Sequence, residues 1–298
     1  MASDPRILVL RGGALGDFIL TLPALQALRK RWPRAYIELA GYSHIAHLAK
    51  DAGYADHILS LDRAEVARFF AINPVFTEWQ RRWVSSFDFV INYLHDPDGS
   101  LNDNLRAAGA RELLYASPLD LDGHATATFL KPLVSLALID CDPVPRIPGR
   151  QKPATPDRCL GTIVIHPGSG SPRKNWPVEN FMGLAGQLNT QDILFLTGEA
   201  DEAVVEPIAA FVAEHGFWHL HHPHLSEVVH LFRSAGRYIG NDSGITHLAA
   251  ACGVPTLAIF GPTDPAVWAP LGAHVTVIQA GQPAFGDLTV SRVMESLR

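Results

Sequence analysis

The residues best suited to chemistry lie together in one short turn, Gly240-Asn241-Asp242-Ser243-Gly244. Glycine, asparagine and aspartate favour turns, and the segment Ile245 to Cys252 is predicted to be a helix that ends at Gly253. A helix that begins at Ser243-Gly244 presents free backbone N–H groups and the positive end of its dipole, which suits a diphosphate. His247, one turn into this helix, can reach the same anion. A strand-turn-helix corner without a ligand is the alternative.

Two more loops follow predicted strands in the second half of the chain. The loop 167–177 follows a strand at 161–166; its small residues admit an anion, and Lys174 adds a positive charge for a phosphate. Glu199 follows a strand at 193–197, where a carboxylate can accept both hydroxyls of a ribose. Because ligands bind beyond the carboxyl ends of parallel strands, we expect the three loops to converge. An exposed lysine and a carboxylate at a helix start are the alternatives.

In the first half, Asp17 follows a predicted strand and a glycine-rich turn at 11–16, at or near a helix start. Held opposite the anion site, its carboxylate can accept a proton from an acceptor hydroxyl; an N-cap aspartate is the common alternative. The glycine spacing of this turn matches neither the dinucleotide fingerprint nor the P-loop. Asp96 and Asp98, after another predicted strand, either line the acceptor side or form a solvated turn.

Four histidines crowd a predicted strand and loop in the second half, namely His219, His221, His222 and His224. They have no carboxylate or cysteine partner at ligand spacing, so no metal is predicted. The segment lies after a strand and before a helix, which suits a backbone contact to a nucleobase. Pro223 and His224 are the candidates for that contact.

The elements that position these loops alternate between apolar strands and helical segments in both halves, which predicts βαβ units and parallel sheets. The stretch 140–160 holds five prolines and little periodicity, so it is the predicted linker. We therefore expect two doubly wound α/β domains, residues 1–150 and 151–298. Pro23 falls inside a predicted helix at 18–31, either in a first turn capped by Thr21 or at a kink.

Composition supports a globular protein of two domains, with 298 residues, 47% hydrophobic and 18% charged. The net charge of −6 and the lack of a basic run argue against nucleic acid as a partner. Residues 1–150 carry 16 Lys and Arg against 17 Asp and Glu, while residues 151–298 carry 8 against 13, so the first half suits an anionic acceptor better. Cys141, Cys159 and Cys252 lack metal spacing and fit a reduced cytoplasm. No signal peptide or membrane span is predicted.

Four stretches of the chain resemble glycosyltransferase family 9, the ADP-heptose:lipopolysaccharide heptosyltransferases. They are LRGGALGDFILTLPALQALRKRWP at 10–33, IHPGSGSPRKNWPVENF at 165–181, LTGEADE at 196–202 and IGNDSGITHLAAACGVPTLAIFGPTDP at 239–265. The resemblance implies a GT-B fold, in which two Rossmann-like domains face each other across a cleft, with the acceptor bound by the N-terminal domain and the nucleotide sugar by the C-terminal one. It implies an inverting, metal-independent transfer of heptose from ADP-heptose to a lipopolysaccharide core or related glycan, with no cofactor.

The resemblance also implies a role for each matching residue. Asp17 matches the general base, Ser169 and Lys174 the diphosphate loop, Glu199 the ribose ligand and Asp242 the sugar contact. Ser243, Gly244 and Ile245 match the backbone that binds the phosphates, and His247 stands beside them.

Alternatives remain open at this stage. One is a GT-B enzyme that uses another nucleotide sugar, including an epimerase; another is a non-catalytic nucleotide-sugar-binding protein. The cysteine content implies a cytoplasmic protein, and the acceptor type raises a contact with the inner membrane. A peripheral contact with the inner membrane through Trp79, Arg81, Arg82 and Trp83 is weighed against an ordinary amphipathic surface.

Overall fold

The computed structural model describes residues 4–148, 161–281 and 285–297. The chain divides into two compact units, residues 1–144 and 145–298. The predicted boundary at 150/151 and much of the predicted linker fall within 149–160, outside the described residues, as does Cys159. Each unit contains one parallel sheet with helices between its strands.

The first unit is built on a five-stranded sheet in the order β3-β2-β1-β4-β5. Its strands are β1 (Arg6–Arg11), β2 (Tyr36–Gly41), β3 (His57–Ser60), β4 (Phe89–Asn92) and β5 (Glu112–Tyr115). Its helices are α1 (Leu15–Arg31), α2 (Ser43–Asp51), α3 (Ala64–Ala67), α4 (Glu78–Ser85), α5 (Ser100–Ala107) and α6 (Ala125–Leu130), with 3₁₀ turns at Arg68–Phe70 and Lys131–Leu136. Strand β1 pairs with both β2 and β4, and its apolar run is buried because central parallel strands are covered on both faces.

Helix α1 begins earlier than predicted, at Leu15, so Pro23 lies in its interior. The prediction that Thr21 caps a helix with Pro23 in its first turn is wrong. The Thr21 hydroxyl instead donates to the carbonyl of Asp17 at 2.9 Å, inside the helix. Burial of the apolar face of α1 offsets the backbone hydrogen bond that proline cannot make.

Two predicted surface features of the first unit have structural roles. Asp96 is buried, and its carboxylate accepts the backbone N–H groups of Leu101 and Asn102 at 3.0 and 2.9 Å, so a solvated turn is wrong for this residue. Asp98 is exposed and accepts from the backbone N–H of Ser100 at 3.1 Å. Both carboxylates therefore satisfy N–H groups at the start of α5, which helix geometry leaves without partners.

Helix α4 carries the residues considered for a membrane contact. Trp79 is 44% exposed and stacks on Trp83 with ring centroids 5.5 Å apart. The Trp83 indole donates to Glu38 at 2.8 Å, so this ring is held against the unit rather than presented outward. Across the described ranges, no helix combines the length and the hydropathy that a membrane span requires.

The second unit is built on a six-stranded sheet in the order β11-β10-β9-β6-β7-β8. Its strands are β6 (Ile163–His166), β7 (Ile193–Thr197), β8 (Trp218–His221), β9 (Arg237–Asn241), β10 (Thr256–Phe260) and β11 (Val275–Gln279). Its helices are α7 (Val178–Gln187), α8 (Glu202–His215), α9 (Leu225–Ser234), α10 (Gly244–Ala251), α11 (Pro265–Trp268) and α12 (Val290–Glu295), with 3₁₀ turns at Pro172–Lys174 and Glu199–Asp201. Trp176 and Phe181 pack with the sheet in the main core of this unit.

The strand order of the second unit reverses between β6 and β9. From β6 the chain builds outward through β7 and β8, then returns to pair β9 on the other side of β6. The loops after β6 and β9 therefore leave in opposite directions at the same edge of the sheet. Such a switch point is where open parallel sheets bind ligands.

Candidate functional site

Asn241, fully buried at the end of β9, fixes the loop that follows β6. Its Oδ1 accepts from the backbone N–H of Trp176 at 2.9 Å, and its Nδ2 donates to the carbonyl of Pro167 at 2.6 Å. One side chain thus holds both ends of the loop 167–177. The Trp176 indole, also buried, donates to the carbonyl of Leu288 at 3.0 Å and anchors the far end of the loop in the core.

Lys174 and Asp242 meet beside this anchor. The ammonium donates to the Asp242 carboxylate at 2.7 Å, with the Asp242 side chain 6% and the Lys174 side chain 35% exposed. A carboxylate so buried requires a partner, so the pair holds Lys174 beside β9. Because an ammonium has three donors, one bond to Asp242 leaves capacity for an anion.

Helix α10 begins immediately after Asp242. Ser243 is its N-cap, and the hydroxyl oxygen accepts from the backbone N–H of Thr246 at 3.3 Å. Gly244 and Ile245 are the first two residues of the helix and are half-buried. Their N–H groups precede the first possible intrahelical bond, so they are available to a ligand. The predicted helix start at Ile245 is one residue late, which leaves the expected anion site in place.

His247 lies on the buried side of α10. Its backbone N–H donates to the carbonyl of Ser243 at 3.2 Å, and its side chain is almost fully buried. The residue is therefore one turn from the helix start, as predicted, and packs within the unit.

A buried histidine–aspartate pair that the sequence did not reveal lies under the same loops. His166 Nε2 is 3.2 Å from Asp201 Oδ2, and the two side chains are 6% and 3% exposed. The same carboxylate accepts from the backbone N–H of Gly198 at 2.7 Å. Burial by itself raises the pKa of Asp201, but the His166 hydrogen bond and charge, the Gly198 N–H and the charge of His221 leave that pKa below its usual value.

Gly168 explains how this carboxylate fits. A Cβ on Gly168 would lie 1.5 Å from Asp201 Oδ1, so only glycine admits the carboxylate in this position. The sequence carried a weak signal for the arrangement: Gly198 and Asp201 have the spacing of a capped turn, in which an acidic side chain three residues on accepts the first N–H.

Ser169 and Glu199 occupy the predicted loops with different surroundings. The buried Ser169 hydroxyl lies 2.6 Å from Asn175 Oδ1 and 2.8 Å from the carbonyl of Ser171, so it braces its own loop. Glu199 is exposed at the start of the 3₁₀ turn after β7. Both lie at the carboxyl edge of the sheet, and their ligand roles remain predictions.

The histidine-rich segment forms β8 and the loop before α9. His219 Nε2 and His221 Nδ1 lie 2.8 and 3.0 Å from the Thr197 hydroxyl, and burial followed by the charge of His221 lowers the pKa of His219. His224 is the exposed N-cap of α9, its backbone N–H donating to Glu227 at 2.8 Å, and Pro223 before it is half-buried. In the part of the chain that the structure describes, no three histidine, cysteine or acidic residues are grouped to hold a metal ion.

Asp17 belongs to the first unit. It is the third residue of α1 rather than the N-cap, which is Ala14, and its Oδ2 accepts from the Ala14 N–H at 3.3 Å. Its own carbonyl accepts from the buried guanidinium of Arg11 at 2.8 Å. Burial, opposed by the nearby charges of Asp17 and Tyr93, lowers the pKa of Arg11 to about 10. Asp17 as a whole is half-buried, so part of the residue is exposed to solvent.

A pair of parallel α/β units of this kind is the architecture of the GT-B fold class. Solved structures of similar fold include E. coli ADP-heptose lps heptosyltransferase II, with a TM-score of 0.76 and 19% identity over 98% of this chain and 97% of that one. E. coli heptosyltransferase WaaC with ADP has a TM-score of 0.74 and 18% identity over 98% of each chain. The predicted fold class is thereby confirmed.

Residues 149–296 match the model of glycosyltransferase family 9 (heptosyltransferase). Lipopolysaccharide heptosyltransferase 2 of E. coli K12 is 32% identical over 147 residues, covering 42% of this chain and 42% of that relative. The aligned segment thus spans less than half the length of the curated relative. Three of the four stretches that carry the family resemblance lie within the matched residues, and the stretch 10–33 lies outside them.

Proposed function

We propose that this chain is an inverting glycosyltransferase that moves a heptose from an ADP-sugar onto a lipopolysaccharide core or related glycan. The observation that carries the proposal is the Lys174–Asp242 pair beside the start of α10, at the switch point of the second sheet. The match of residues 149–296 to the family 9 model, and a relative named as a lipopolysaccharide heptosyltransferase, support the substrate class.

The donor diphosphate binds the backbone N–H groups of Ser243, Gly244 and Ile245, with Lys174 over it and His247 behind. As the bond to the sugar breaks, negative charge grows on the bridging oxygen. The lysine and the helix start stabilise that charge because they are already in place before the reaction. Asp242 then serves two groups, the Lys174 ammonium and the hydroxyls of the sugar.

The nucleoside end of the donor lies along the loops after β7 and β8. Glu199 accepts from the ribose hydroxyls, since its exposed carboxylate follows β7. Ser169 acts indirectly, by bracing the loop that carries Lys174. Backbone atoms at Pro223 and His224 contact the nucleobase.

In the transfer step, Asp17 takes the proton of an acceptor hydroxyl, whose oxygen attacks the anomeric carbon from the face opposite the diphosphate. The carbon–oxygen bond to the diphosphate breaks, ADP leaves, and the sugar is inverted. Side chains and backbone N–H groups stabilise the negative charge of the diphosphate, and Asp17 takes the proton. The proposal therefore assigns no step to a metal or cofactor. The acceptor class favours a cytoplasmic enzyme that works at the inner membrane surface.

A thermal-shift screen of the full chain with ADP, UDP and GDP, followed by product analysis with ADP-heptose and UDP-sugars, tests the proposal. We expect ADP to raise the melting temperature most and ADP-heptose to be consumed only with an acceptor. If only UDP raises the melting temperature, the donor is a UDP-sugar rather than an ADP-sugar. Conversion of a UDP-sugar without an acceptor would indicate an epimerase.

A further inference from the structure

We propose that His166 and Asp201 form a positioning pair beneath the donor site, which takes up a proton when the diphosphate binds and so redirects the hydroxyl of Ser243. The inference rests on the proposed function for the location of the diphosphate. It assigns a task to two buried residues that the transfer scheme itself leaves unused.

One imidazole joins the three loops of the site. His166 ends β6; its Nε2 is 3.2 Å from Asp201 Oδ2 in the turn after β7, and its Nδ1 is 3.4 Å from Ser243 Oγ at the start of α10. All three side chains are buried. The Gly198 N–H and the missing Cβ of Gly168 hold the carboxylate beside the ring.

Counting hydrogens leaves two states for this chain of groups. An ionised Asp201 has only acceptors, so Nε2 of His166 must carry a proton. Nδ1 is then either bare and accepts the Ser243 hydroxyl, or protonated and donates to it. In the first state the imidazole is neutral, and in the second it is an imidazolium paired with the carboxylate.

The neighbours of Ser243 decide where its hydrogen goes in the second state. The Thr246 hydroxyl donates its hydrogen to the carbonyl of Asn241. Its oxygen can therefore only accept hydrogen bonds, from the hydroxyl of Tyr238 at 2.9 Å and from the hydroxyl of Ser243 at 3.0 Å. When His166 is an imidazolium, the Ser243 hydrogen must turn away from it. It then points to Thr246 or to a ligand oxygen at the helix start, which converts Ser243 into a donor for the phosphate.

The surrounding charges favour proton uptake on binding. The ionisable groups that face this pair from the packed elements are Asp201, His221, Tyr238 and, next to Ser243, Asp242 with its partner Lys174. Tyr238 stays neutral because burial raises its pKa, and Asp242 is already paired. Among the groups named, Asp201 is the one negative charge paired with the His166 ring. A diphosphate at the start of α10 adds further negative charge close to that ring, and this stabilises the imidazolium. The proton comes from solvent.

Calorimetric titration of the full chain with ADP at pH 7.5, in two buffers of different ionisation enthalpy, measures the uptake. The ADP phosphate is already ionised at that pH, so the buffer-dependent heat reports groups of the protein. We expect net uptake approaching about one proton per ADP for the unaltered chain, and an affinity that falls with rising pH by up to about tenfold per unit, the limit for one proton. His166→Gln removes both effects and leaves weaker binding.

Two further variants sharpen the comparison. Asp201→Asn lowers the uptake because the imidazolium loses its counter-charge. His215→Gln makes the same change at an exposed histidine that ends α8, and keeps the full uptake.

The outcomes separate this inference from the donor assignment. ADP binding without buffer-dependent heat, or with equal uptake in His166→Gln, overturns the positioning pair and leaves the donor site standing. Failure of ADP to bind the unaltered chain overturns both. If His166→Gln does not fold, ¹⁵N NMR of the histidines in the unaltered chain decides: one imidazole must gain its second proton on addition of ADP, and none doing so overturns the inference.

Discussion

Among single residues, Asp17 has a structural role and a proposed catalytic role, which substitutions can separate. Its carboxylate accepts from the Ala14 N–H near the start of α1, and it is also the proposed base. Asp17→Asn keeps an oxygen for the helix start but cannot take a proton. We expect the transfer rate to fall by at least about 100-fold with ADP-sugar affinity nearly unchanged, measured by product formation and calorimetry.

Asp17→Ala should lose transfer equally and, in addition, about 0.5–1.5 kcal/mol of stability, because one hydrogen bond at the helix start is lost. Asp98→Asn is the matched control for Asp17→Asn, because Asp98 also accepts an N–H at a helix start in the same unit. The transfer scheme assigns Asp98 no step, so its rate of transfer should be unchanged. Parallel loss of affinity and rate in Asp17→Asn would reject the base assignment.

Lys174 supports a prediction about the donor alone. Lys174→Ala removes a charge-assisted contact to the diphosphate and leaves the buried Asp242 carboxylate without its partner. We expect ADP binding to weaken by about 1.5–3 kcal/mol in a calorimetric titration. Arg292→Ala removes an exposed positive charge of the same unit, on α12, and should bind ADP as before; similar losses in both variants would point to a general charge effect.

The individual site residues were readable from sequence to different degrees. Lys174 and Asp242 were each predicted from their own loop, yet their contact joins positions 68 apart and depends on β6 lying beside β9. His166 and Asp201 were missed because a histidine after a strand and an aspartate in a turn are ordinary in isolation. The pairing of His166 with Asp201 depends on the burial of both side chains and on the space left by Gly168, which are properties of the folded chain.

At the scale of elements, the loop 167–177 depends on one amide. Asn241→Ala leaves the Trp176 N–H and the Pro167 carbonyl buried without partners. Each such group costs about 1–3 kcal/mol, so we expect a clear fall in melting temperature together with weaker ADP binding. Asn189→Ala, at an exposed position after α7, should change neither; an unaltered melting temperature for Asn241→Ala would contradict the role of the amide.

The regular elements follow from sequence where the pattern is strong. Strand β7 is a continuous apolar run with turn residues at its end, and its predicted bounds of 193–197 match the structure. Strand β5 was missed because it is a four-residue edge strand, and α6 because its ATATFL sequence is short and rich in β-branched residues. Helix α4 was considered only as a surface patch, although Thr77 and Gln80 form its capping box.

At the scale of the whole molecule, the family match lies in residues 149–296, entirely within the second unit. That half contains the loops whose chemistry could be inferred, because a diphosphate imposes a helix start and a positive charge. In the first unit the proposed activity uses a single carboxylate, that of Asp17, and the ligand imposes no comparable pattern on the sequence. The acceptor is therefore the part of the activity that the sequence specifies least.

Transfer by the intact enzyme should be unchanged in EDTA, because Lys174 and the start of α10 supply the charge that a divalent ion would otherwise provide. Product formation with and without chelator measures this, and ADP binding in the same buffers serves as the control. A strict requirement for a divalent ion would redirect attention to His219, His221, His222 and His224.

The tight fit of Gly168 against Asp201 has a genetic consequence. An alanine at position 168 and the native carboxylate at 201 cannot occupy their places together. In a selection for restored growth or activity starting from Gly168→Ala, suppressor mutations should concentrate at codon 201, where a smaller side chain relieves the overlap. Such revertants would regain a folded loop while lacking the acidic partner of His166. They would therefore separate the effect of packing at position 168 from the effect of the negative charge at position 201.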